Sequence, residues 1–176
     1  MDSHVKHRLF NSYCTNFFGC ELWSLSNEKI NDICIAWRKG SRRVWELPYN
    51  THCFLLPLLG NCLPLFDEIC RRSLNFIRSC FVHESNLIRF VATNAICFSR
   101  NNSFLGHNIL FCMERYKCSL HDILIGNVNL IVNQYCNSLV DDDQLLTASF
   151  LSELIAIRDR RLSFFNGFFF FKSRTV

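Results

Sequence analysis

Residues 27–47 limit what this chain can fold into more than any other stretch. Ile30, Ile33, Cys34, Trp37, Ser41, Val44 and Trp45 recur at steps of three and four, the spacing of one face of an amphipathic helix. Arg38 and Arg42 form one i,i+4 row and Lys39 and Arg43 another. Four cations therefore project away from the two tryptophans, which are expected to anchor the core. Pro48 is expected to stop the helix, because its ring disfavours the α conformation at Leu47.

The rest of the composition suits a domain built around such a helix. With 176 residues, 49% of them apolar, the chain can bury a real core as one domain. The net charge of +4 permits contact with a nucleic acid but does not demand it. The eleven cysteines are odd in number, contain no Cys-x-x-Cys, and sit on apolar stripes, as at Cys14, Cys34, Cys70 and Cys80. Structural zinc sites are built from short-spaced ligand pairs, so no metal site is expected and the thiols read as small buried hydrophobes. His4, Lys6, His7 and Arg8 open the chain without a leader's apolar core, which gives an expected intracellular location, cytoplasm or nucleus. No membrane is expected as a partner. The longest apolar run, Phe54 to Phe66, is broken by Pro57, Gly60, Asn61 and Pro64, whereas a bilayer needs about 20 apolar residues.

Read in order, the chain predicts an all-α fold, an irregular array of about six or seven helices. His4 to Trp23 reads as the first, with Val5, Leu9, Phe10, Tyr13, Cys14, Phe17 and Phe18 as its core stripe and Trp23 as a further anchor. Ser26 or Asn27 can cap the second helix, in which Gly40 costs about 1 kcal/mol relative to Ala and marks a thin spot. Thr51 is expected to cap a short helix ending near Pro57. Pro64 suits the first turn of a long helix, where Asp67–Arg71 and Glu68–Arg72 are i,i+4 pairs. Ser85 can cap a helix through Leu87, Ile88, Val91, Ala92 and Ala95, and residues 99–106 read as a polar loop. A helix is expected over Asn108 to Lys117. Ile123 to Tyr135 is ambiguous, since neither period wins there, and is read as helix. Asp141 to Asp143 open a last helix to about Arg161. The expected division is one helical domain over residues 1–161 and a tail over residues 162–176, whose six phenylalanines are either a final core segment or non-native read-through.

Catalysis finds no constellation here. The aspartate triplet is separated from Tyr135 by five residues and has no flanking hairpin strands, so it reads as a helix start rather than as a metal pair. No nucleophile elbow or glycine-rich phosphate loop is visible. What remains is the cationic face. Phosphate contacts supply affinity without base readout, so cations on a rigid helix suffice for tracking a backbone. Arg38, Lys39, Arg42 and Arg43 meet that need, with Arg71 and Arg72 weaker candidates because neighbouring acids can neutralise them. A solvated helix face is the alternative for the same residues.

The segments Trp37-Arg38-Lys39, Arg42-Arg43-Val44-Trp45 and Leu47-Pro48-Tyr49-Asn50-Thr51-His52 resemble the stretch just after the catalytic palm in LINE-type (non-LTR) retrotransposon reverse transcriptases of the jockey-like kind. Leu9 to Trp23 is similar to the helix before it. Arg71 to Ser79, Ser99 to Asn108 and Glu153 to Asp159 follow in the family's order. The resemblance implies the thumb and post-thumb region of an RNA-directed DNA polymerase, separated from the palm and fingers that would be its partners. It implies RNA and DNA backbone as the other partner, no catalysis by this chain alone, and Mg²⁺ only in the absent palm. A stand-alone helical interaction module, or a non-functional relic of a transposable element, is the alternative.

Overall fold

A computed structural model describes residues 3–98 and 101–141. The fold is all-α, and among the described residues there is no strand. Eight α-helices are described: α1 (Ser3–Cys14), α2 (Glu28–Val44), α3 (Leu55–Gly60), α4 (Leu65–Phe81), α5 (Asn86–Thr93), α6 (Phe104–Tyr116), α7 (Leu120–Ile125) and α8 (Val128–Asp141). A 3₁₀ turn (Cys20–Leu22) precedes α2, and a π-helical turn (Asn94–Phe98) continues α5. The last expected helix beyond Asp141 and the phenylalanine-rich tail lie outside the described residues.

The core is laid along α4. Leu65, Ile69, Cys70, Ser73, Leu74 and Ile77 are buried on it, and α2, α6, α7, α8 and the 3₁₀ turn pack around it. Ile109, Cys112, Ile123, Val128 and Val132 close the core from the carboxy-terminal side. Deleting such a fully buried Leu or Ile side chain to Ala costs about 2–5 kcal/mol, which makes the α4 stripe the main anchor of the fold.

The second helix is capped at its start by Asn27, whose side chain accepts from the Lys29 amide. It ends at Val44, short of Pro48, through a backbone device. Glu46 takes a left-handed φ of 56°, Leu47 N–H donates to the Arg42 carbonyl at 2.8 Å and Glu46 N–H to that of Arg43 at 3.2 Å. This is the Schellman arrangement, with Glu46 where glycine is usual; Pro48 merely follows it.

The amino-terminal helix differs most from expectation. It stops at Cys14 rather than Trp23, and the chain turns through Gly19 at φ 81° before the 3₁₀ turn. Val5, Leu9, Tyr13, Cys14 and Phe18 are exposed. The inward face keeps the expected Phe10 but adds His7, 3% exposed. The His7 ring lies 5.2 Å from that of Trp45 and occupies the space a side chain on Gly60 would need. Phe17 and Trp23 pack half-buried against the core with ring centroids 5.6 Å apart.

Other boundaries shift for local reasons. Thr51 does not cap α3; its hydroxyl donates to the Pro48 carbonyl at 2.7 Å. Helix α3 runs on through Pro57, which falls in the first turn where no intrahelical N–H is needed, and ends at Asn61, φ 44°. Pro64 sits just outside α4 as its N-cap residue. Ser85 precedes α5 without a side-chain cap bond. That helix turns Leu87, Ile88, Phe90 and Val91 outward and buries only Ala92. Ser103 accepts from Gly106 N–H and starts α6 at Phe104, earlier than Asn108. The ambiguous stretch resolves into two helices: Gly126 ends α7, and Asn127 Oδ1 accepts from the amides of Asn129 and Leu130 to begin α8.

Candidate nucleic-acid interface

The two sides of α2 separate as their residue types require. Trp37 and Trp45 are 7% and 2% exposed, while Lys39 and Arg43 stand in solvent on the opposite side. The other two candidate cations on this helix, Arg42 and Arg38, are tied into the fold. Arg42 donates from Nε and Nη2 to the Thr51 carbonyl at 3.2 and 2.8 Å, and its guanidinium lies 5.8 Å from the Tyr49 ring. It therefore clamps the turn after α2 onto the helix end. Arg38 is half-buried and bonds back through Nε to the Cys34 carbonyl at 3.2 Å.

The two candidate cations on α4, Arg71 and Arg72, are paired. Glu68 receives Arg71 Nη2 at 2.7 Å and Arg72 Nε at 2.9 Å, so the expected Asp67–Arg71 pair is replaced by Glu68 serving both arginines. Arg72 also approaches the Cys20 thiol at 3.9 Å, on the side of the 3₁₀ turn, whereas Arg71 faces a cleft it shares with Arg38. The six candidate cations thus do not make one surface. Lys39 and Arg43 form an outward pair, Arg38 and Arg71 line a cleft, and Arg42 and Arg72 hold neighbouring elements.

Asp67 has a different partner from the expected one because it points into the protein. It is 2% exposed and accepts from Arg115 Nε and Nη2 at 3.0 and 2.9 Å and from Tyr116 Oη at 2.9 Å. The Arg115 guanidinium lies 4.8 Å from the Phe66 ring centre and 5.3 Å from that of Tyr135, a cation enclosed by aromatic faces. Burial lowers the Arg115 affinity for its proton, but the Asp67 carboxylate overrides this and holds the guanidinium charged. Burial, with Cys70 and Asp67 nearby, keeps the Tyr116 phenol protonated. Arg115 escaped sequence reasoning because its partner is 48 residues away.

The same burial governs the thiols. Desolvation raises Cys20, Cys34, Cys62, Cys80 and Cys118, and pushes Cys136 up to about 12. These thiols stay protonated near neutral pH and are poor metal ligands or nucleophiles. Among the described residues no group of three or more His, Cys, Asp or Glu is placed to hold a metal ion, and no helix is long and apolar enough to cross a membrane. The aspartate triplet lies at and beyond the end of α8, with Asp142 and Asp143 outside the described residues.

Compared with models of known families, with curated proteins and with solved structures, the chain matches none.

Proposed function

We propose that this chain is the thumb and post-thumb region of a retrotransposon RNA-directed DNA polymerase, and that in the intact parent it grips the backbone of template RNA and primer DNA. The observation that carries the reading is the division of α2: tryptophans inside and Lys39 and Arg43 outside, on a rigid helix that follows the resembling motif order. Backbone tracking needs fixed cations and no base-reading groups, and α2 offers that. Nucleotidyl transfer belongs to the absent palm, with its Mg²⁺. The experiment is fluorescence anisotropy with an RNA–DNA hybrid across a salt series. Binding should weaken steeply with salt, and Lys39→Ala with Arg43→Ala should flatten the slope by about 1 per lost phosphate contact. Primer extension by the purified chain with Mg²⁺ would defeat the assignment.

A stand-alone helical interaction module is the second reading, favoured by the outward apolar residues of α5, where Leu87 and Phe90 are 70% and 66% exposed. It predicts no hybrid binding even at low salt.

A further inference from the structure

A cleft of about 970 Å³ opens between α2, α3, α4 and α8, at the upper end of the roughly 300–1,000 Å³ of small-molecule sites. Part of its wall is apolar: Phe54, Pro57, Leu58, Leu63 and Leu139, of which Leu139 is 52% exposed. The rest carries three guanidinium groups, Arg38, Arg71 and Arg115, against two carboxylates, Asp67 and Glu68. Those carboxylates are already engaged. Asp67 is held by Arg115 and Tyr116, and Glu68 is divided between Arg71 and Arg72. Arg38, bonded through Nε to a carbonyl, has no carboxylate opposite it among the described residues. With Glu68 shared between two arginines, Arg71 leaves that wall of the cleft with positive charge in excess.

We propose that this cleft binds an amphiphilic anion, a carboxylate or phosphate head on an apolar body. The head supplies the negative charge that Arg38 lacks and balances the excess charge beside Arg71. The body lies along Phe54, Leu58 and Leu139. A neutral ligand of the same shape would leave both arginines as they are, so charge and apolar body are needed together. This site is separate from the nucleic-acid reading, because Lys39 and Arg43 point away from the cleft.

Isothermal titration of the full chain with octanoate, octyl phosphate, 1-octanol and acetate tests it. Octanoate or octyl phosphate should bind saturably at one site, and the tighter of the two identifies the head group. 1-Octanol and acetate should each bind at least about tenfold more weakly, a single charge-assisted interaction's worth of discrimination. Arg38→Gln should cost the anion about tenfold, and Arg38→Lys, which keeps the charge, should cost less. Arg43→Gln should change nothing. Equal binding of 1-octanol, equal weakening by Arg43→Gln, or no saturable binding to the folded chain would each overturn the proposal. If Arg38→Gln loses its helical circular dichroism, the comparison of octanoate with 1-octanol on the parent chain decides alone.

Discussion

The ring of Phe10 fills the space that a side chain on Gly40 would need: a methyl there would lie 2.6 Å from Cζ and 2.7 Å from Cε2 of that ring. The glycine is therefore where α1 seats its aromatic directly on the backbone of α2. Gly40→Ala gains about 1 kcal/mol of helix propensity but forces the ring out of place, an overpacking that costs typically 1–3 kcal/mol. The expected net effect is a loss. In a Phe10→Ala background the same substitution should instead stabilise by about 1 kcal/mol. Urea denaturation of the four proteins reads this reversal of sign, and its absence would mean the two residues do not compete for space.

Asp67 is the buried charge whose removal should hurt most. Asp67→Asn leaves Arg115, with 29% of its side chain exposed, without an opposite charge in an aromatic enclosure. Breaking a pair of this kind costs about 3–5 kcal/mol. Tyr116→Phe removes one hydrogen bond to the same carboxylate and should cost less, about 1.5–3 kcal/mol. Thermal melts that rank the two the other way would place the energy in the phenol rather than in the ion pair.

Neighbouring arginines on α2 should separate in opposite assays. Arg42→Ala frees the Thr51 carbonyl and the turn after the helix, a loss of about 1.5–3 kcal/mol for a charged hydrogen bond. Arg43→Ala removes a side chain that bonds no other group among the described residues and should stay within about 0.5 kcal/mol of the parent. Hybrid binding, corrected for the folded fraction, should respond to Arg43 and not to Arg42.

Helix α7 carries a pH-sensitive start. Ser119 donates from Oγ and from its backbone N–H to Asp122 Oδ2 at 2.6 and 2.9 Å, and these bonds hold the carboxyl below its ordinary value. The folded state thus favours the charged form. Its contribution is complete above the unfolded value, about 3.9, and is lost as the pH falls through the lower folded value. A ¹³C titration should place the Asp122 midpoint below that of a free aspartate, and Ser119→Ala should return it upward. A midpoint unchanged by Ser119→Ala would rule out the capping box as its cause.

Helix α2 was legible because its apolar period and its cation rows agree, so one pattern assigns both faces. Helix α1 was not. His7 turns inward beneath Gly60 while Val5, Leu9 and Tyr13 turn out, and no local rule puts a histidine inside and a leucine outside. Pairing on α4 was misread for a related reason. Asp67 has Arg71 one turn away, but burial gives it Arg115 from another helix. Likewise, a row of four cations does not reveal that Arg42 serves the Thr51 carbonyl, because the turn that brings Thr51 back is made by Glu46 in a left-handed conformation. Gly126 and Asn127 did carry the signal that separates α7 from α8, but the β-branched residues around them masked it.

The side-chain amide of Asn108 accepts from Leu25 N–H at 3.0 Å and donates to the Trp23 carbonyl at 2.8 Å, bridging separations of 83 and 85 residues. Among the described residues no other side chain bonds these two backbone groups. On a ribosome, where synthesis runs at about 5–20 residues per second, the corner ahead of α2 must wait several seconds for the lock that sets it. Any pause before α6 emerges prolongs the time for which that corner is without its latch.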